Sequence, residues 1–121
     1  GLATLNILKE NRNIYEHINK IGEKLQKGIE NIAREEKIDL VVNRYGGMMT
    51  IFFTDRGEVR TFEDAKSCDL DMFKKYFKHM IKSGINIPQS QFEAIFLSSE
   101  HREEHIDKFL SAFKEFAKSV N

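Results

Sequence analysis

Little in this chain can cross-link, kink or anchor it. Its 121 residues include one cysteine, one proline and no tryptophan. The single thiol, Cys68, leaves no partner for an internal disulfide, which fits a reducing compartment. Net charge is missing too. Nineteen basic side chains balance nineteen acidic ones, and the pI is near 7.1. No overall field therefore draws the chain to nucleic acid or to an anionic membrane surface. No apolar run approaches the roughly 20 residues of a membrane-spanning helix, and no stretch reads as a secretory signal. Phosphate-cradling glycine loops are lacking: Gly46-Gly47 fits neither G-x-G-x-x-G nor G-x-x-x-x-G-K.

What is present suits one domain with a core of its own, burying roughly two-thirds of the unfolded surface. Gly1 to Leu5 reads as the middle of a helix, with neither methionine nor cap, so we expect a piece of a longer protein. Leu2, Leu5 and Leu8 make a short amphipathic stretch, and Lys9 to Asn13 interrupts it. Asn13, with Glu16, then reads as the cap of a second helix carrying Ile14, Ile18, Ile21, Leu25, Ile29 and Ile32. Gly22 and Gly28 on that helix mark either close approaches or tolerated costs. Residues 38–44 and 48–54 read as an antiparallel strand pair broken at Tyr45-Gly46-Gly47. Thr61 with Asp64 caps a brief helical turn. Asp69 caps a helix with Leu70, Phe73, Phe77, Met80 and Ile81 on one face, and Gly84 ends it. Residues 94–97 read as a third strand, buried on both faces. Ser98 or Ser99 caps a last helix with the stripe Ile106, Phe109, Leu110, Phe113, Phe116, Ala117 and Val120. The order predicts an α+β fold: a small, mostly antiparallel sheet with helices on one side.

Chemistry-bearing patterns are sparse. His101 to His105 fits H-x-x-E-H, with both histidines on one helix face, but no third metal ligand is evident and solvated helix residues explain the same letters. Cys68 near a helix start reads as a packing residue before a nucleophile. Most of the ten phenylalanines fall at helix-core spacing or inside strands, with no basic residues interleaved, against a nucleic-acid platform. Glu93 stands apart. It is the only acid between Asp71 and Glu100 and directly precedes an apolar strand, where an unpaired buried carboxylate is expensive. It is either a charge facing a ligand pocket or a strand-end carboxylate facing water.

Residues 88–101, PQSQFEAIFLSSEH, resemble the P-x-S-x-F-E-A-x-F-x-S-x-x-H segment of the glutamate-1-semialdehyde 2,1-aminomutase family, in the class-III pyridoxal-phosphate aminotransferases. Gly1 to Leu5, the stretch Gly46 to Thr54, and Asp64 to Asp69 with Phe73 and Phe77 are similar to further motifs of that family, in order. Gly47 replaces its serine and Met49 its phenylalanine. The resemblance implies the C-terminal small domain of an aspartate-aminotransferase fold over residues 1–121, with residues 1–12 ending an interdomain helix. It implies a cytoplasmic homodimer that makes 5-aminolevulinate for tetrapyrroles. The cofactor, pyridoxal or pyridoxamine phosphate, and its lysine would lie in an N-terminal large domain. No catalytic, cofactor or metal residue is then expected in this chain, which alone would be inactive. Lys66, Lys74, Lys75, Lys78 and Lys82 read as solvated. Glu93, with Ser90 and Pro88 fixing its loop, would contact substrate and repel an α-carboxylate. The rivals are the small domain of another class-III ω-amino-acid aminotransferase and a stand-alone α+β interaction module.

Overall fold

The computed structural model describes residues 2–98 and 100–120, with residues 2–11 as backbone only. The order is α1 (Leu2–Glu35), β1 (Val41–Tyr45), β2 (Met48–Phe52), α2 (Phe62–Lys66), α3 (Leu70–Lys82), β3 (Ile95–Phe96) and α4 (Glu103–Ser119). The three strands form one antiparallel sheet in the order β1-β2-β3. This is the expected α+β layout.

Helix α1 is one uninterrupted element of 34 residues, so the cap expected at Asn13 does not exist. Lys9 to Asn13 contains no glycine or proline, and lysine, glutamate and arginine are good helix formers. The lapse in apolar spacing is not an end, and its described side chains, Arg12 and Asn13, are exposed. The leucine face at Leu2, Leu5 and Leu8 lies outside the described residues, as does Gly1. The helix stops in a Schellman motif: Ile38 N–H donates to Ala33 O (2.8 Å) and Lys37 N–H to Arg34 O (3.4 Å). Both interior glycines mark close approaches. A Cβ on Gly22 would stand 2.8 Å from the Gly46 carbonyl, and one on Gly28 2.6 Å from Leu110.

The hairpin β1-β2 turns on Gly46-Gly47, with Gly46 at φ +58° as a two-residue loop requires. Alternation then sorts β2. Met49, Ile51 and the following Phe53 face the main core, with Ile21, Leu25 and Ile29 of α1, Phe73, Tyr76 and Met80 of α3, and Ile106 and Phe113 of α4. Tyr76 is the hub: its ring meets Phe53, Phe73, Phe113 and Phe116 at centroid distances of 5.5 to 5.9 Å. Such pairs contribute about 0.5–1.5 kcal/mol each beyond burial. The opposite face of β2 ends in Phe52, which packs with Val59, Ala65 of α2 and Cys68. The three long helices thus share one side, and the single-turn α2 closes one end of the other.

The caps at α2 and α3 are as the sequence predicts. Thr61 Oγ1 accepts from Asp64 N–H (3.1 Å), Asp64 Oδ2 from Thr61 N–H (3.3 Å), and Asp69 Oδ1 from Met72 N–H (3.0 Å). Gly84, at φ +81°, ends α3 in a second Schellman motif. Other expectations need correction. The buried face of α3 is Phe73, Tyr76 and Met80, while Leu70 and Ile81 are exposed. The third strand is only two residues long, and Phe96 stands 69% exposed rather than buried. Ser98 does not cap α4, whose N-cap is Arg102; Ser99 lies outside the described residues.

Candidate functional site: the loop before the third strand

Pro88, Ser90 and Glu93 come together. With Thr50, Phe73, Tyr76 and Gln91 they line a crevice of about 10 Å³ between β2 and α3. The loop is tied by its own serine. Ser90 Oγ accepts from Phe92 N–H (3.1 Å), and Ser90 O accepts from Glu93 N–H (3.1 Å). This tight turn presents the Glu93 side chain outward, where it is exposed. Its carboxylate therefore avoids the burial cost that made it conspicuous in the sequence. In this chain Glu93 stands at a crevice mouth and faces solvent.

The turn also reverses the usual sorting of polar and apolar side chains. Gln91 is the buried residue, 2% exposed, and Phe92 is 49% exposed. Gln91 Nε2 donates to Ala65 O (2.8 Å), pinning the loop to α2. The Phe92 ring instead meets Phe62 at 5.2 Å. Composition gives no signal for this exchange, because it depends on where the Ala65 carbonyl, which also accepts from Cys68 N–H (3.2 Å), comes within reach.

The histidine pair does not make a metal site. His101 Nδ1 accepts from Ser98 N–H and His105 Nδ1 from Arg102 N–H, both at 2.9 Å. An imidazole accepting at Nδ1 carries its proton at Nε2, so neither ring offers a free lone pair. Among the described residues no group of three or more His, Cys, Asp or Glu could hold a metal. Cys68 is buried and donates to Asp64 O (3.4 Å). Burial pushes its thiol up, which opposes thiolate chemistry.

The sheet face away from the long helices carries an unexpected feature. Cross-strand pairing sets Tyr45 beside Met48 and Met48 beside Phe96. All three are exposed, at 82%, 44% and 69%. They form one apolar row across the three strands.

No protein-family model matches the chain. Among curated proteins it is 57% identical over 121 residues to the glutamate-1-semialdehyde 2,1-aminomutase of Clostridium beijerinckii, covering 100% of this chain and 28% of that protein. It is 60% identical over 116 residues to the protein of the same name from Clostridium perfringens, covering 96% of this chain and 27% of that one. The chain thus spans about 28% of the length of such relatives. Among solved structures, a β-phenylalanine aminotransferase from Variovorax paradoxus superposes with a TM-score of 0.73 at 22% identity, over 84% of this chain and 23% of that one. An ω-transaminase from Sphaerobacter thermophilus superposes with a TM-score of 0.69 at 18% identity, over 86% of this chain and 24% of that one. At such identities the superpositions establish the fold: this α+β unit is the one found in transaminase chains.

Proposed function

We propose, from its identity to these aminomutases, that the chain belongs to the glutamate-1-semialdehyde 2,1-aminomutase family and is the C-terminal small domain of an enzyme converting glutamate-1-semialdehyde to 5-aminolevulinate. The observation carrying this reading is the 57% identity extending over all 121 residues. Its place would be tetrapyrrole synthesis in the cytoplasm, within a homodimer.

Pyridoxal phosphate, or its pyridoxamine form, supplies amino-group storage when bound to the whole enzyme. The residues described here do not fit that group. Lys66, Lys74, Lys75, Lys78 and Lys82 are all exposed on α2 and α3, so none is the desolvated amine that such chemistry uses. The cofactor's seat belongs to a large domain elsewhere in the polypeptide. The row Tyr45, Met48 and Phe96 is the natural face for that domain to cover, because an exposed apolar strip gains by losing its contact with water.

The task of this chain is discrimination. Glutamate carries an α-carboxylate where the semialdehyde carries an aldehyde. Glu93, held outward by the Ser90 turn, repels the former and tolerates the latter. At a separation of about 5 Å and an effective dielectric near 20, two like charges cost about 3 kcal/mol, a factor of more than a hundred. The test is kcat/KM for semialdehyde against glutamate in the full-length enzyme carrying Glu93→Gln or Glu93→Arg. Both variants are expected to lose about a hundredfold of discrimination; unchanged selectivity in both would end this reading of Glu93.

A further inference from the structure

Two residues that line the crevice beneath Glu93 each carry a buried polar atom without a hydrogen-bond partner. Tyr76 Oη and Gln91 Oε1 both lack hydrogen bonds, and their residues are 1% and 2% exposed. Both residues line the same space of about 10 Å³. An orphaned buried hydroxyl or amide oxygen is costly, and native interiors rarely keep one. Two in one crevice call for a shared answer.

The chemistry is complementary. Gln91 Nε2 already donates to Ala65 O, which fixes the amide orientation and leaves Oε1 in need of a donor. A phenol keeps its proton here, since burial pushes Tyr76 well above the usual tyrosine value, so its O–H seeks an acceptor. Neither atom bonds the other directly, so a small group that accepts from the phenol and donates to the amide oxygen is what joins them. A cavity of roughly 10–15 Å³ is about the least that one water needs. Thr50 and Ser90 border the same space and bring further hydroxyls.

We propose that one ordered water occupies this crevice, accepting from Tyr76 O–H and donating to Gln91 Oε1. The bridge fastens the segment 88–93 to α3 and makes Tyr76 and Gln91 positioning residues for the loop that presents Glu93. It does not depend on the aminomutase reading, since the orphaned atoms and the space belong to this chain alone.

The sign of one substitution decides. If Tyr76 Oη were truly unpartnered, Tyr76→Phe would relieve a penalty and raise Tm. If the water is there, the same change lowers Tm and loosens the loop. In the full-length protein we expect a lower Tm for Tyr76→Phe. By hydrogen-exchange mass spectrometry we expect on the order of tenfold faster exchange confined to residues 88–93, about the factor one hydrogen bond is worth. A crystal structure of the unaltered protein should show one full-occupancy water within about 3 Å of both atoms. A stabilised Tyr76→Phe variant, uniform exchange across the chain, or a direct Tyr76–Gln91 bond in place of the water would each overturn the proposal.

Discussion

Two helix ends show what a single residue contributes. Helices α1 and α3 finish in the same Schellman geometry, yet α3 places Gly84 at its positive-φ position and α1 places Lys37 there, at φ +58°. A side chain in the left-handed region costs on the order of 1 kcal/mol. Lys37→Gly is therefore expected to stabilise the chain by about 1 kcal/mol in urea unfolding, and Gly84→Ala to destabilise it by a similar amount. The sequence made Gly84 legible because glycine announces the motif. It hid Lys37, because nothing about a lysine signals a left-handed turn. The same division runs through the candidate loop. Pro88, Ser90 and Glu93 could be picked out by letter, whereas Gln91 and Tyr76 matter only because a distant carbonyl and a distant crevice receive them.

Between residue and molecule stand the caps. At α2, the backbone N–H groups of Arg60 and Thr61, with the Arg56 guanidinium, hold the Asp64 carboxyl below the ordinary aspartate range. A carboxylate whose folded pKa is depressed contributes stability above its unfolded value, about 3.9, and that contribution is lost as pH falls through the folded value. Backbone amides of Asp64 and Ala65, followed by NMR, should lose protection across that acid window, and Asp64→Asn should abolish the pH dependence. At α4 the acceptor for the Arg102 amide is His105, in the position where glutamate or glutamine usually completes a capping box. His105→Ala should cost about 1 kcal/mol and His105→Gln much less, read from denaturant midpoints. Caps of the first kind were legible because Thr61-x-x-Asp64 is a local pattern. Histidine at the third helical position carries no such pattern, so the start of α4 was misplaced at the serines.

For the molecule as a whole, the layers were foreseeable and the surface was not. Apolar periodicity gave the helices of the main core and the hairpin, since each needs only its own segment. The row Tyr45, Met48 and Phe96 needs strand register, which no single segment contains. If that row is a seat for the rest of the polypeptide, the isolated chain should self-associate through it. Tyr45→Ser combined with Phe96→Ser is expected to weaken association at least tenfold in sedimentation equilibrium, because each buried aromatic contributes roughly 1.5–3 kcal/mol, with circular dichroism unchanged.

The length of α1 has a mechanical consequence. Its core residues begin at Ile21, while Ile14 and Tyr15 upstream are exposed. The helix is still tied to the body upstream of Ile21, where His17 Nε2 lies 2.7 Å from the His101 carbonyl, so at 1.5 Å per residue about 22 Å of helix precedes that tie. A rod of that reach is a lever arm: a tilt of about 5° there swings its tip by roughly 2 Å.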